Sequence, residues 1–251
     1  SRNLRADGTF DEELFRGRIV NMLESGSDIL DLGACSTRPG SESICEEEEW
    51  RRLEPALNIL ASEHAGVKIS IDTFRPAVVS RAFDIIGPFI VNDVSGGSEE
   101  MWSLLGRLHL PYIAMHTRGT PKNMQNLTDY DNVTEAVREF FVGIAAEADR
   151  HGVEDWILDP GFGFAKTVEQ NWQLLREMSV LQEFGKEILV GLSRKSFLFR
   201  PLGITPAEAL PSTQVADFIA LQNGADILRV HDVAEAVRTI KLYRLFNGVN
   251  N

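Results

Sequence analysis

Short apolar runs alternate along the chain with longer stretches whose apolar residues recur at helical spacing. The runs are DILDLG (28–33), KISIDT (68–73), FIVNDV (89–94), YIAMHT (112–117), WILDPG (156–161), EILVGLS (187–193) and DILRVHD (226–232). Most are apolar on both faces, which suits parallel strands covered by helices better than a half-exposed antiparallel sheet. Between them, residues 11–25 place Phe15, Ile19, Met22 and Leu23 on one stripe, with Gly26 as a stop. Pro76 stands where a first-turn proline belongs. Thr167 and Gln170 have the spacing of a capping box ahead of VEQNWQLLREM. Segments 130–151 and 233–246 are amphipathic, and Ser212 or Thr213 is expected to cap a helix ending at Gly224. Pro55 predicts a kink or break within 46–64.

Regular strand–helix alternation without a linker predicts one α/β domain over 1–251. The pattern favours a closed (β/α)8 TIM barrel over an open doubly wound sheet, because no GxGxxG follows the first strand, and GFGF at 161–164 lacks that spacing. Seven strands are counted where a closed barrel needs about eight. The missing first strand is therefore expected to precede Ser1.

Composition narrows the chemistry. The length of 251 residues and 43% hydrophobic content allow one sizeable core. No run approaches the roughly 18 apolar residues of a membrane span, and no leader opens the chain, so a soluble protein is expected. A net charge of −12 argues against a nucleic-acid partner. The two cysteines, Cys35 and Cys45, lack the spacing of a zinc site or the density of a disulfide scaffold, so a reduced cytoplasmic setting is expected. Cys35 reads as a small buried residue rather than a nucleophile.

Polar residues cluster at strand ends: Asp31, Asp72, Asn92, Asp93, His116, Asp159, Ser193, Arg229, His231 and Asp232. In a barrel those ends face the active site. Loop Asp, Ser and Thr residues also cap helices, which is the plainer reading of Asp93 and Asp232. Capping does not account for Asn92, Lys195 or Arg229. A buried charge without a partner costs several kcal/mol, so such residues point to a ligand. Carboxylates accept from an N–H-rich flat heterocycle, while Arg38, Lys195, Arg229 and His231 donate to oxyanions. The run Ser193–Ser196 also sits at a strand-to-helix turn that favours anions.

These residues carry a resemblance. DILDLGACSTRPGSE, ISIDTF, VNDVSGG, MHTRGTPKNMQ, LDPGFGFAKT, GLSRKSF and ADILRVHDV resemble, in order, the motifs of the dihydropteroate synthase family. The resemblance implies condensation of 6-hydroxymethyl-7,8-dihydropterin diphosphate with p-aminobenzoate, releasing pyrophosphate and 7,8-dihydropteroate, with Mg2+. It assigns Asp72, Asn92, Met115, Asp159, Phe164 and Lys195 to the pterin. Arg229, His231 and Thr37 fall to the diphosphate; Thr37, Arg38, Pro39 and Ser193 to the second loop and the p-aminobenzoate position. Catalytic duty falls to Lys195, Arg229, His231 and Arg38. It further implies competition by sulfonamides and a homodimer formed through late helices. The family's metal-binding Asn lies in a first-strand segment absent from this sequence, which leaves the metal ligands unassigned. Ala34-Cys35 stands where Gly-Glu is commoner.

His64, His109 and His151 fall late in helices and read as surface or charge partners. Glu46–Glu49 reads as a solvated helix start, the four tryptophans as packing, and Arg118 and Lys122 as rim or solvated residues. Rival readings are a methyltetrahydrofolate-binding methyltransferase barrel, a Schiff-base lyase using Lys195, and a pterin-binding barrel without catalysis.

Overall fold

The computed structural model describes residues 3, 9–35, 44–119 and 123–249. The fold consists of two compact units, Ser1–Ala114 with Glu147–Asp155, and Met115–Ala146 with Trp156–Asn251. Among the described residues there are seven strands, each within one of the apolar runs read from the sequence.

The first unit starts with helix α1 (Glu12–Glu24), whose N-cap Asp11 accepts from Leu14 N at 3.1 Å and which buries Phe15 and Ile19. Strands β1 (Ile29–Gly33), β2 (Lys68–Asp72), β3 (Ile90–Asp93) and β4 (Tyr112–Met115) alternate with α2 (Glu46–Glu63), α3 (Pro76–Ile86) and α4 (Glu99–Leu108). The pairs β1–β2, β2–β3 and β3–β4 are parallel, the arrangement that the mostly two-sided apolar runs suit. Ile71 and Val91 are completely buried, as are Val78, Val79 and Leu105 on the helices. A cavity of about 280 Å³ lies among α1, β1 and α2, lined in part by Phe15, Ile19, Leu30 and Leu53. Of residues 1–10 only 3, 9 and 10 are described, and Phe10 alone is a bridged residue.

α2 runs through Pro55 as one helix, so the expected break does not occur. Its apolar face buries Trp50, Leu53, Ala56, Leu57, Ile59 and Leu60, on both sides of the proline. That burial outweighs the roughly 3 kcal/mol an interior proline costs. Glu49, read as solvated, is instead buried and paired with Arg75, whose guanidinium also reaches the Ile44 carbonyl.

In the second unit, β5 (Trp156–Asp159), β6 (Leu189–Val190) and β7 (Ile227–Leu228) alternate with α6 (Val168–Glu177), α7 (Ser196–Phe199), α8 (Leu210–Gln222) and α9 (Val233–Phe246). β6 and β7 pair in parallel, and Leu158 bridges Ile188 in the same sense. The capping box forms as expected: Gln170 N donates to Thr167 Oγ1 at 3.2 Å, and Thr167 N to Gln170 Oε1 at 2.8 Å. Helix α5 (Val133–His151) is capped by Asn132, whose Oδ1 accepts from Thr134 N and Glu135 N.

Three capping assignments are corrected. Thr213 lies inside α8, which starts after Ala209; its hydroxyl donates to the Ala209 carbonyl and accepts from Arg194 N. Asp232 occupies the N-cap position of α9 but makes no cap bond, because its carboxylate is held by Arg194 at 2.8 and 3.0 Å. Asp93 caps no helix either. It accepts from Ser95 N and from the Tyr112 hydroxyl, and α4 is capped by Ser98.

Candidate active site

In the first unit, strand register sets the site residues side by side. Gly33 is opposite Asp72, and Asp72 is opposite Asn92, at the ends of three neighbouring parallel strands. Alternation puts Asp31 on the face of Gly33, and Ser70 on that of Asp72. Ser70 Oγ donates to Asp31 Oδ1 at 2.6 Å, and Asn92 Nδ2 donates to the same oxygen at 3.2 Å. Asp72 and Asn92 are both buried. Gly33 makes room for this row, since a Cβ there would lie 3.2 Å from Asp72 Cβ.

In the second unit, Asp159 ends β5, buried, with Oδ1 accepting from Gly161 N at 2.8 Å. Burial pushes its carboxyl above the usual range, while Lys195, Arg229 and Lys166 pull it back. The Lys195 ammonium donates to the Phe162 carbonyl and sits 5.0 Å from the centre of the Phe164 ring. Burial lowers Lys195 to about 8, against the opposing pull of Asp159. Gly163 admits the lysine, since a Cβ there would lie 3.1 Å from Lys195 Cδ. Ser193 Oγ lies 3.0 Å from His231 Nδ1, which fixes the imidazole's orientation. Met115, at the end of β4, is buried.

Asp159, Phe164, Lys195, Arg229, Ser193 and His231 thus belong to one unit, with electrostatic contact linking Asp159, Lys195 and Arg229. Asp72 and Asn92 form the row in the other unit. Thr37, Arg38 and Pro39, and also Lys122, lie outside the described residues. Cys35 and Cys45 are free, Cys35 half-buried and Cys45 exposed. His151 Nε2 stands 3.5 Å from Glu99 and 3.7 Å from Glu147.

Sequence reasoning assigned no role to Lys166, which is buried with its ammonium 3.0 Å from His116 Nδ1. Burial, Lys166 and Arg118 together hold His116 down to about 2, so its imidazole is neutral. The lysine stands in the quoted GFAK motif, but nothing local marks its ammonium as buried.

Chemically, the second unit offers a carboxylate acceptor, an aromatic face and four cationic or hydrogen-bonding groups, Lys195, Arg229, Ser193 and His231. A carboxylate takes paired N–H donors from a heterocycle edge, and Lys and Arg take oxyanions. Among the described residues, the one cluster with metal-ligand proximity is Glu99, Glu147 and His151, in the first unit, where Arg150 already spans both carboxylates. The groups around Arg229 and Lys195 suit an anion and do not by themselves form an oxygen-ligand set for a divalent cation.

The class follows from this geometry and from its relatives. Residues 6–231 match the family described as pterin binding enzymes. Dihydropteroate synthase from Synechocystis is 42% identical over 226 residues, covering 88% of this chain and 78% of the relative. The Yersinia pestis dihydropteroate synthase structure with a sulfonamide drug complex superposes with a TM-score of 0.88 at 33% identity, covering 93% of this chain and 85% of that one. A Xanthomonas albilineans dihydropteroate synthase with 4-aminobenzoic acid gives 0.88 at 33% identity, covering 98% and 89%. The fold class is the (β/α)8 barrel. The chain belongs to the pterin-binding enzymes and, within them, to the dihydropteroate synthase family.

Proposed function

We propose that the chain is a transferase of folate biosynthesis that condenses 6-hydroxymethyl-7,8-dihydropterin diphosphate with p-aminobenzoate. The observation that carries this reading is the buried Asp159 carboxylate set against Lys195 and Arg229 beside the Phe164 ring. Asp159 accepts the pterin's ring and exocyclic N–H donors, Lys195 donates to the ring carbonyl, and Met115 and Phe164 pack on its faces. Asp72 and Asn92 are assigned to the same pterin. Arg229, His231 and Thr37 take the diphosphate; Thr37, Arg38, Pro39 and Ser193 serve the p-aminobenzoate side.

The C–O bond to diphosphate breaks as positive charge develops on the pterin methylene. Arg229, His231 and Arg38 stabilise the negative charge on the leaving group. The aromatic amine then forms the C–N bond and loses a proton, so no protein nucleophile is needed. Mg2+, if bound with the diphosphate, would offset negative charge there; the described groups around Arg229 and Lys195 do not form an oxygen-ligand set for it, and no step depends on it here. Sulfonamides, as p-aminobenzoate mimics, are expected to compete. The chain is taken to act as one domain in the cytoplasm, which fits its free cysteines, and as a homodimer.

The test is pyrophosphate release with and without p-aminobenzoate. The wild type should require both substrates. Lys195→Ala and Asp159→Asn should each lose about 100-fold or more in kcat/KM, the scale of removing one transition-state or orienting contact. Pterin binding without pyrophosphate release would favour a non-catalytic barrel.

A further inference from the structure

We propose that Lys166 is a positioning residue whose ammonium pins the loop between β5 and α6, and thereby aims Phe164, Lys195 and Asp159 at the pterin. This rests on the reading above.

The loop needs a pin. It carries Gly161 at φ 68°, Gly163 at φ 80° and Ala165 at φ 47°. Ala165 has a side chain in the left-handed region, which costs about 1–2 kcal/mol and persists only where surroundings enforce it. Gly161 cannot carry a Cβ, which would run into the His116 carbonyl.

Lys166 Nζ has three donors and meets three acceptors. The Gly161 carbonyl lies at 3.0 Å, the Phe164 carbonyl at 3.2 Å and His116 Nδ1 at 3.0 Å. Two of these are backbone atoms of the loop. The third is anchored: His116 N donates to the Asp159 carbonyl at 2.9 Å, and the imidazole packs edge-on against Phe140 at 5.2 Å. With the imidazole proton on Nε2, Nδ1 accepts from the ammonium. Asn171 clamps the far side, accepting from Gly163 N and donating to the Thr167 carbonyl, both at 2.6 Å.

The ammonium is a costly way to fill space. Lys166 is 4% exposed and, among the described residues, pairs with no carboxylate at ion-pair distance. Burying it costs several kcal/mol, and an apolar chain would fill the space more cheaply. What only the ammonium supplies is the tie between Gly161 and Phe164, and a positive charge facing Asp159. The first sets the Phe164 ring and the Phe162 carbonyl that seats Lys195. The second favours the ionised Asp159 carboxylate that accepts the pterin edge. Burial lowers Lys166 to about 7, with Asp159 supporting its charge and Lys195 and Arg118 opposing it, so the ammonium is complete only toward acid pH; His116 is neutral.

Lys166→Met keeps the volume and removes the ammonium. Steady-state kinetics of the full chain are measured from about pH 5.5 to 9, alongside thermal melts. The expected result is a KM for the pterin diphosphate raised about tenfold or more, with the KM for p-aminobenzoate within about twofold. The acid limb of kcat/KM for the pterin should also move to higher pH, because Asp159 loses a favourable charge. His116→Asn, which retains an acceptor for Nζ, should stay close to wild type, whereas His116→Leu should shift in the direction of Lys166→Met. A folded Lys166→Met with unchanged pterin KM and acid limb overturns the proposal. So does a parallel rise in both KM values with the acid limb fixed, since that marks general loosening. If Lys166→Met does not fold, the His116→Leu and His116→Asn pair decides on the same readouts. A wild type that never releases pyrophosphate refutes the proposed function instead. The pin is then judged by calorimetric affinity for the pterin diphosphate in wild type and Lys166→Met, where equal values overturn it.

Discussion

Midway along α8, the Asp217 carboxyl is 2% exposed and its Oδ1 has no hydrogen-bond partner. Burial alone pushes its pKa up to about 7. The folded chain therefore keeps a proton that the unfolded chain releases near the ordinary value of 3.8. The raised folded pKa sets the sign. The stabilising protonation is complete below about pH 4 and is lost as pH rises through about 7. Asp217→Asn should flatten this dependence and gain roughly 2–4 kcal/mol at pH 8, less whatever its own unpaired amide costs. Urea midpoints at pH 5 and pH 8 measure it. Equal pH dependence in the two proteins would show that Asp217 finds a partner in solution. Lys166 and Lys195 belong to the same residue scale, since burial brings each toward neutral pH but three acceptors answer the first and one carbonyl and an aromatic face the second.

Elements show where local rules win and where packing overrules them. Thr167 and Gln170 satisfy each other across one turn, so the start of α6 was legible from two letters at the right spacing. Pro55 was read by an equally local rule, yet α2 continues through it. The proline still lacks the N–H that would reach the carbonyl one turn back. Pro55→Ala should therefore raise stability by about 1–3 kcal/mol, seen as a higher melting temperature, provided the helix keeps its packing. A lower melting temperature would mean that the proline's ring or rigidity is itself needed there. Arg194 illustrates a longer link. Its backbone turns at φ 53°, and its side chain holds Asp232 and the carbonyls of Pro206 and Ala207. That clamp draws the SRKS turn and the RVHD segment together, and with them Lys195 and His231.

At the scale of the whole molecule, charge and apolar exposure pull in opposite directions. A net charge of −12 resists association. Against it, α9 and the residues after it leave Leu242, Leu245, Phe246 and Val249 between 54% and 72% exposed. Large apolar side chains grouped on a terminal helix are costly in water and favour a partner surface. For the proposed homodimer, Phe246→Glu with Leu245→Glu should shift the sedimenting species from dimer to monomer without a change in circular dichroism. A wild type that sediments as a monomer at tens of micromolar would remove the dimer from the reading. Among the described residues no helix is long and apolar enough to cross a membrane.

The succession of elements was set by the sequence alone. Seven apolar runs became seven strands, most of them apolar on both faces because helices cover a parallel sheet on either side, a pattern visible without neighbours. The polar ends of those strands were equally visible, and so were the motifs that place the chain in its family. Which polar group answers which was decided only in three dimensions. Asp232 was read as a cap and turned to Arg194; Lys166 passed unassigned and proved to hold a loop; Asp217 looked like any helical aspartate and is buried unpaired. A cap depends on residues three apart, whereas burial and pairing depend on segments dozens of residues away, whose distances no local pattern encodes.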